Sequence, residues 1–404
     1  MNQRVAMFLT LIVLACTSCG GGGESNVTSS SSGPVTIESG TTSTASGSPS
    51  PTPTPTSSGS AGQSVRGLAI QMAKIASNFD TAPWLEAIPS AHSADPDVVG
   101  AFRFLCAPSH VAYDDPIVYP SQPGRSHLHT FFGNTEANAF STYESLRTTG
   151  KSTCRNALNR SAYWIPSLMN GRGQVVMPDY ISIYYKRYPT SHPSCQTGEG
   201  CIGLPRGLRY VFGRTMNGPS GADHVYFDCQ GASATPGHYP NLVEAARNCP
   251  SGSQIGAVVD APSCWDGKSL DSADHRSHMA YSVYDAGLDA HVCPATHPFH
   301  IPTFTLAAWY TTDNTLDRSG NTSPTANTWY FASDRMEGMA PMTSGMTFHA
   351  DWFGAWDDDI LDTWIANCIN KKLSCASGNL GGGTLLKASD IAEYKGPRLI
   401  DKPS

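Results

Sequence analysis

The sequence predicts a mainly β fold: an antiparallel β-sandwich or jelly-roll-like domain with long disulfide-linked loops and a few peripheral helices. Three observations lead there. Short runs of β-branched and aromatic residues recur between Gly, Pro and Asn, the pattern of strands separated by turns. The 404 residues include 38 Gly and 29 Pro, while helical spacing is rare. Twelve cysteines accompany a charged content of only 15%, against about 25% in an average domain, so cross-links rather than surface charge characterise this chain.

Residues 1–19 read as an export signal. One positive side chain, Arg4, precedes the run Val5 to Ala15, which is apolar apart from Thr10. That run is too short to span a bilayer and suits a cleaved signal. Its end, Val13-Leu14-Ala15-Cys16-Thr17-Ser18-Cys19-Gly20, resembles the lipobox of bacterial lipoproteins. Cys16 or Cys19 would then be lipidated, Cys16 with the better-fitting upstream neighbours. The expectation is an exported cell-envelope protein, held at the membrane outer surface or the outer membrane by its lipid alone.

Residues 20–65 form a linker in which 36 of 46 residues are Ser, Thr, Gly or Pro. Such a composition buries nothing, and a flexible chain of that length spans about 35–40 Å, enough to hold a domain clear of a membrane. Residues 66–404 are expected to fold as a single domain. Within it, Tyr180–Tyr185, Leu208–Phe212, His224–Phe227 and Thr303–Leu306 read as strands. Helical spacing appears around Leu68 to Phe79, in Leu242 to Arg247 and in Ile360 to Leu373. The ten cysteines of this domain predict up to five disulfides, with Cys195–Cys201 and Cys368–Cys375 pairing locally and the other pairings open. No Cys-x-x-Cys spacing, phosphate-binding glycine loop or Gly-x-Ser-x-Gly elbow occurs, which disfavours zinc knuckles and removes nucleotide-binding and α/β-hydrolase readings. A net charge of −7 with no Lys/Arg run argues against nucleic acid as a partner.

Three polar segments stand out. In Ser126-His127-Leu128-His129, an extended backbone projects His127 and His129 to one face. The segment Cys264 to Tyr281 is dense in Asp and His, and a polar loop there can bring His275 and His278 to a cleft. In Phe348-His349-Ala350-Asp351-Trp352, His349 and Asp351 share a face, while Asp357 to Asp359 suit the cap of the following helix. Each segment also has a structural reading: a hydrogen-bonded histidine pair, a surface loop of Asx-turns, and a helix cap. Together they predict a shared polar cleft on loops of a β-scaffold. Imidazole and carboxylate ligands would suit Zn²⁺ or a similar divalent ion, with His127, His129 and His349, or Asp351 in place of His349, as its ligands.

The segments Asp115-Pro116-Ile117-Val118, His127-Leu128-His129-Thr130, Tyr163-Trp164-Ile165-Pro166, Cys264-Trp265-Asp266-Gly267, Asp274-His275-Arg276-Ser277-His278, Cys293-Pro294-Ala295-Thr296-His297-Pro298 and Phe348-His349-Ala350-Asp351 resemble, in order, the domain-of-unknown-function family numbered 1996. The resemblance extends from about Asp115 to Cys368. The family is best known from secreted fungal proteins, often beside WSC or cellulose-binding modules, and occurs in exported bacterial proteins. The resemblance thus implies an extracellular setting near polysaccharide, and no reaction.

The leading expectation is a cell-surface lipoprotein acting on polysaccharide through a His/Asp cleft. Whether it is an enzyme stays open. The acid–base or metal chemistry would fall to His129, His278, His349, Asp351 and Asp266, the last two as a two-carboxylate pair. Substrate would be held by Tyr163, Trp164, Trp265, Trp352 and Asp115. One alternative is a non-catalytic carbohydrate-binding module in which the tryptophans form a stacking platform. A second is a structural envelope protein. Oligomeric state is not legible.

Overall fold

A computed structural model describes residues 71–88, 99–389 and 391–403. The signal with Cys16 and Cys19, the linker 20–65 and the start of the expected helix, Leu68 to Ile70, lie outside the described residues. No described helix is long and apolar enough to cross a membrane.

Eleven strands build the two principal sheets: β1 (Gly100–Cys106), β2 (Pro108–Ala112), β3 (His129–Gly133), β4 (Ala162–Pro166), β5 (Tyr180–Arg187), β6 (Arg209–Gly213), β7 (Val225–Gln230), β8 (Gln254–Asp260), β9 (Thr303–Thr311), β10 (His349–Phe353) and β11 (Ser374–Ala376). The six-stranded sheet runs β7-β8-β9-β5-β1-β11, antiparallel except for the parallel pair β1–β11. The five-stranded sheet runs β6-β10-β4-β3-β2 and is antiparallel throughout.

Alternation along the strands decides what lies between the sheets. In β5, Ile181, Ile183 and Tyr185 are buried while their neighbours are half-buried, the signature of a strand with one face on a core. These residues join Phe102, Phe104, Phe304 and Leu306 of their own sheet and Phe132, Tyr163, Tyr210, Phe212 and Trp352 of the other in one apolar cluster. Rings meet edge to face across the gap, Phe304 lying 5.4 Å from Phe212 and 5.6 Å from Trp352. One polar link crosses the same core: the Tyr163 and Tyr185 hydroxyls are 3.0 Å apart. The architecture is therefore sandwich-like and mainly β.

Among the described residues, three short α-helices cover the periphery. In α1 (Tyr143–Thr148), the Thr142 hydroxyl accepts the Ser145 amide, and Ser145 in turn accepts the Thr142 amide. Its Tyr143 and Leu146 pack with Phe131 and Trp164 on the outer face of the five-stranded sheet. The expected helix at Leu242–Arg247 forms over those residues as α2, capped by Asn241. The one expected over Ile360–Leu373 starts earlier and ends sooner: α3 (Asp358–Trp364) is capped by Asp357 and runs into a single wide turn, Ile365–Ile369.

The helix expected around Leu68 to Phe79 is not present over residues 71–79. The segment has no regular secondary structure, and its burial alternates residue by residue. Its backbone groups bond to the domain rather than to each other. The Met72 amide donates to the Arg206 carbonyl, and Arg147 donates to the carbonyl of Ile75. Tertiary partners outweigh a weak local preference.

Five disulfides form. The two local ones join Cys195–Cys201 and Cys368–Cys375, and the three pairings left open by the sequence are Cys106–Cys154, Cys229–Cys249 and Cys264–Cys293.

Candidate functional site

The site is built on the outer face of the five-stranded sheet, where strand register lays residues out in rows. One row reads Phe131, Trp164, Asp351, Val211 across β3, β4, β10 and β6. Two residues along, His129 pairs with Pro166 and His349 with Gly213. Continuing the β4–β10 register by two residues sets His349 level with Pro166, so two histidines flank a proline ring in a second row. His127 approaches from the segment just before β3, and its ring centroid is 4.2 Å from that of His129 and 5.2 Å from that of His349. Leu128 between the two histidines turns away into a cluster with Met169, Val175 and Met177.

His127, His129 and His349 each offer one ring nitrogen, and these three atoms lie within 4.8 Å of one another. The tautomers of His129 and His349 follow from their partners. The Nδ1 of His129 is 3.0 Å from the Asp114 carbonyl oxygen, and the Nδ1 of His349 is 2.8 Å from that of Thr347. A carbonyl oxygen only accepts, so each Nδ1 carries the proton and each Nε2 carries a lone pair. The buried Nε2 atoms of His127 and His129 have no hydrogen-bond partner, while that of His349 lies 3.8 Å from the Asp351 carboxylate. Burial holds the rings neutral. It pushes His129 down to about 3 and takes His127 and His349 well below the ordinary histidine range, and neighbouring imidazoles add to the effect.

Two carboxyl groups complete the polar floor. Both oxygens of Asp351 are buried without a hydrogen bond, and burial, then the charge of Asp115, raises its pKa well above the usual range. Asp115 is pushed up to about 6 by burial, opposed by hydrogen bonds that include the Val118 and Ile117 amides. Unpartnered buried nitrogen lone pairs beside a buried carboxyl form an unfavourable arrangement unless a cation is shared among them. Neutral imidazoles fixed by Nδ1–H bonds to carbonyls are also how metal-binding histidines are held. These residues therefore fit a divalent cation chemically.

A cavity of about 260 Å³ opens over this floor, bounded by Asp115, His127, His349, Asp351, His275 and Arg276. The last two arrive on the loop that closes the free edge of β6: the Arg209 amide donates to Leu270, the Val211 amide to His275, and Arg276 to the Gly213 and Arg214 carbonyls. The Nδ1 of His275 is 2.9 Å from the Asp271 carboxylate. That bond leaves Nε2 as the basic nitrogen, so an oriented His–Asp pair stands at the cavity wall. Sequence reasoning brought His275 and His278 toward a cleft but chose His278 for the chemistry, read Asp271 only as a turn former and gave no role to Arg276. The four-residue spacing from Asp271 to His275 was the available signal for the pair; nothing local marked Arg276.

The remaining expected residues lie elsewhere, and their placement corrects several expectations. His278 is a brace, with Nδ1 2.8 Å from the Ser272 hydroxyl and Nε2 2.9 Å from the Arg209 carbonyl, so neither nitrogen is available for chemistry. Asp266 closes a turn by accepting the Lys268 and Ser269 amides, and the carboxylate that couples to Asp351 is Asp115. Trp164, Trp265 and Trp352 are at most 1% exposed and present no face for stacking on a sugar. Trp265 donates to the Ser269 carbonyl, and Tyr163 is locked between Asn159 and Tyr185. A second group, Cys264, Cys293 and His300, also has metal-ligand proximity. Its sulfurs form a disulfide, so they offer no thiolate.

No curated protein and no solved structure significantly matches the chain. Every segment that meets at the cavity falls within one continuous region with a known counterpart. Residues 115–356, more than half of the chain, match the family described as Domain of unknown function (DUF1996), and the chain belongs to that family.

Proposed function

We propose that this chain is an exported, lipid-anchored protein of the cell envelope. In this reading it holds a first-row divalent cation, zinc by ligand chemistry, on His127, His129 and His349 and uses the site on a polysaccharide. The observation that carries the reading is the meeting of three neutral ring nitrogens within 4.8 Å beside the carboxyl group of Asp351. Export and anchoring rest on the run before Cys16 and Cys19 and on the five disulfides, which belong to an oxidising compartment.

A bound cation of this kind supplies Lewis acidity and lowers the pKa of water. The chain's own residues supply the rest. Asp271 orients His275 so that Nε2 can accept or return a proton over the cavity. Arg276, pinned by two carbonyls, contributes a fixed positive charge on the same wall. Asp351 balances the charge beneath.

The test is elemental analysis of full-length protein after equilibration with Zn²⁺ and dialysis. About one equivalent per chain is expected, and His129→Ala and His349→Ala should each weaken retention by at least about tenfold. No retained ion, with unchanged variants, would remove the metal reading. Incubation of the loaded protein with a panel of polysaccharides then separates two roles: new reducing ends or unsaturated products indicate catalysis, and binding without product assigns the cleft to recognition alone.

A further inference from the structure

A larger cleft, about 450 Å³, adjoins the site cavity and shares Ser126, His127 and Met336 with it as a common wall. Its charge differs in sign from that of the whole chain. Three cationic side chains, Arg125, Arg335 and Lys402, border it against a single carboxylate, Glu337, although the chain carries a net −7. Among the described residues none of these three cations forms an ion pair, whereas Arg147, Arg206, Arg209, Arg214 and Arg398 are all paired with aspartates. Unpaired cations gathered in one concave surface of an acidic protein constitute a focused positive field.

The two arginines are also held in place. The Arg335 guanidinium lies 3.8 Å from the Tyr330 ring centroid and donates through Nε and one terminal nitrogen to the Pro324 and Asn327 carbonyls. Neither bond uses its other terminal nitrogen. Arg125 lies over the Tyr119 ring at 5.7 Å. On the far side of the histidine cluster, Arg276 is fixed by the Gly213 and Arg214 carbonyls. Unpaired positive charge therefore borders the histidines on the side of Arg125, Arg335 and Lys402, whereas Arg276 stands beyond them among Asp115, Asp274 and Asp351.

We infer that the ligand of this continuous cleft is an acidic polysaccharide, charged through carboxylate groups, whose successive uronate-type residues are read by Arg125, Arg335 and Lys402 as the chain crosses the histidine cluster toward Arg276. This deepens the proposed function and rests on it. A neutral polysaccharide would call instead for exposed flat aromatic faces, and Trp164, Trp265 and Trp352 are in the core. Planar guanidinium groups suit carboxylates because two parallel hydrogen bonds form at once.

The experiment is calorimetric titration of the Zn²⁺-loaded full chain with polygalacturonate, its fully methyl-esterified form, neutral pullulan and single-stranded DNA. Polygalacturonate is expected to bind at least about tenfold more tightly than its ester or pullulan, and to weaken as salt is raised. The double variant Arg125→Gln/Lys402→Gln should lose about tenfold in affinity for polygalacturonate, with zinc content and unfolding midpoint unchanged. Equal binding of the acid and its ester, an unaffected double variant, or DNA bound as tightly as polygalacturonate would each overturn the inference. Zinc content is measured on the same samples, so the two readings fail separately. Absence of zinc alongside a retained acid preference would strike the metal site alone, and retained zinc without that preference would strike this inference alone.

Discussion

His129 and His349 point their Nδ1 atoms at main-chain carbonyls, and that pair of bonds decides the chemistry available at the site. It fixes both rings as Nδ1–H tautomers with Nε2 as a donor of electrons. Nitrogen-15 NMR of metal-free protein at pH 7 should therefore show both rings neutral with the proton on Nδ1. Signals of a charged ring, or of the Nε2–H tautomer, would contradict the geometry. At this scale the sequence was partly informative. Period-two spacing placed His127 with His129 and His349 with Asp351, because an extended backbone projects alternate side chains to one face. Sequence reasoning named His278 for the chemistry and left His275 out. Both sit in the same polar loop, and only the loop's docking on β6 turns one toward the cavity and uses both nitrogens of the other. Nor could it tell a stacking platform from a core ring, because the same flat apolar surface serves both purposes.

At the scale of elements, the pairing of β6 with β10 positions His349, and Gly213 permits it. Gly213 has φ of +92°, and a Cβ there would come within 3.0 Å of the His349 Cα and of a Val259 methyl. Gly213→Ala should cost about 1–3 kcal/mol from the left-handed backbone and the forced separation of the strands. The same shift displaces His349, so zinc retention should fall together with stability. Chemical denaturation and elemental analysis of the variant measure the two effects, and unchanged stability would show that the strands accommodate the methyl group. Elements with strong local patterns, such as β5, β9 and α2, were readable from the chain. The segment at residues 71–79 was not, because its backbone partners Arg206 and Arg147 are distant in sequence and no local pattern encodes them.

For the whole molecule, buried histidines make stability depend on pH. His300 is buried with an unpartnered Nε2, and its pKa is pushed down to about 4 by burial, with the charges of Arg187 and His192 adding to the shift. In the unfolded chain the ring titrates near the ordinary value of 6.5. Between those two values the unfolded chain takes up a proton that the folded chain refuses, so stability must fall as pH falls from about 6.5 toward about 4. Each such histidine contributes a slope of up to about 1.4 kcal/mol per pH unit in that window. Urea unfolding at pH 7 and pH 4.5 should show a smaller difference for His300→Gln than for the unaltered chain. The site histidines titrate in both proteins, so the comparison isolates His300, and equal differences would refute its role.

The sequence by itself determined the mainly β class, the two short disulfide loops, the family motifs and which histidines and aspartates shared a strand face. Those properties are local: they follow from alternation along a strand, from turn residues and from short spacings between cysteines. Only the tertiary structure decided that three histidines from two separate segments meet, that Asp115 rather than Asp266 neighbours Asp351, and that the tryptophans are interior. It also decided that unpaired arginines and a lysine from distant segments line one cleft. Each of these depends on strand register and sheet packing, which bring together residues up to hundreds of positions apart, and no spacing along the chain specifies such a meeting.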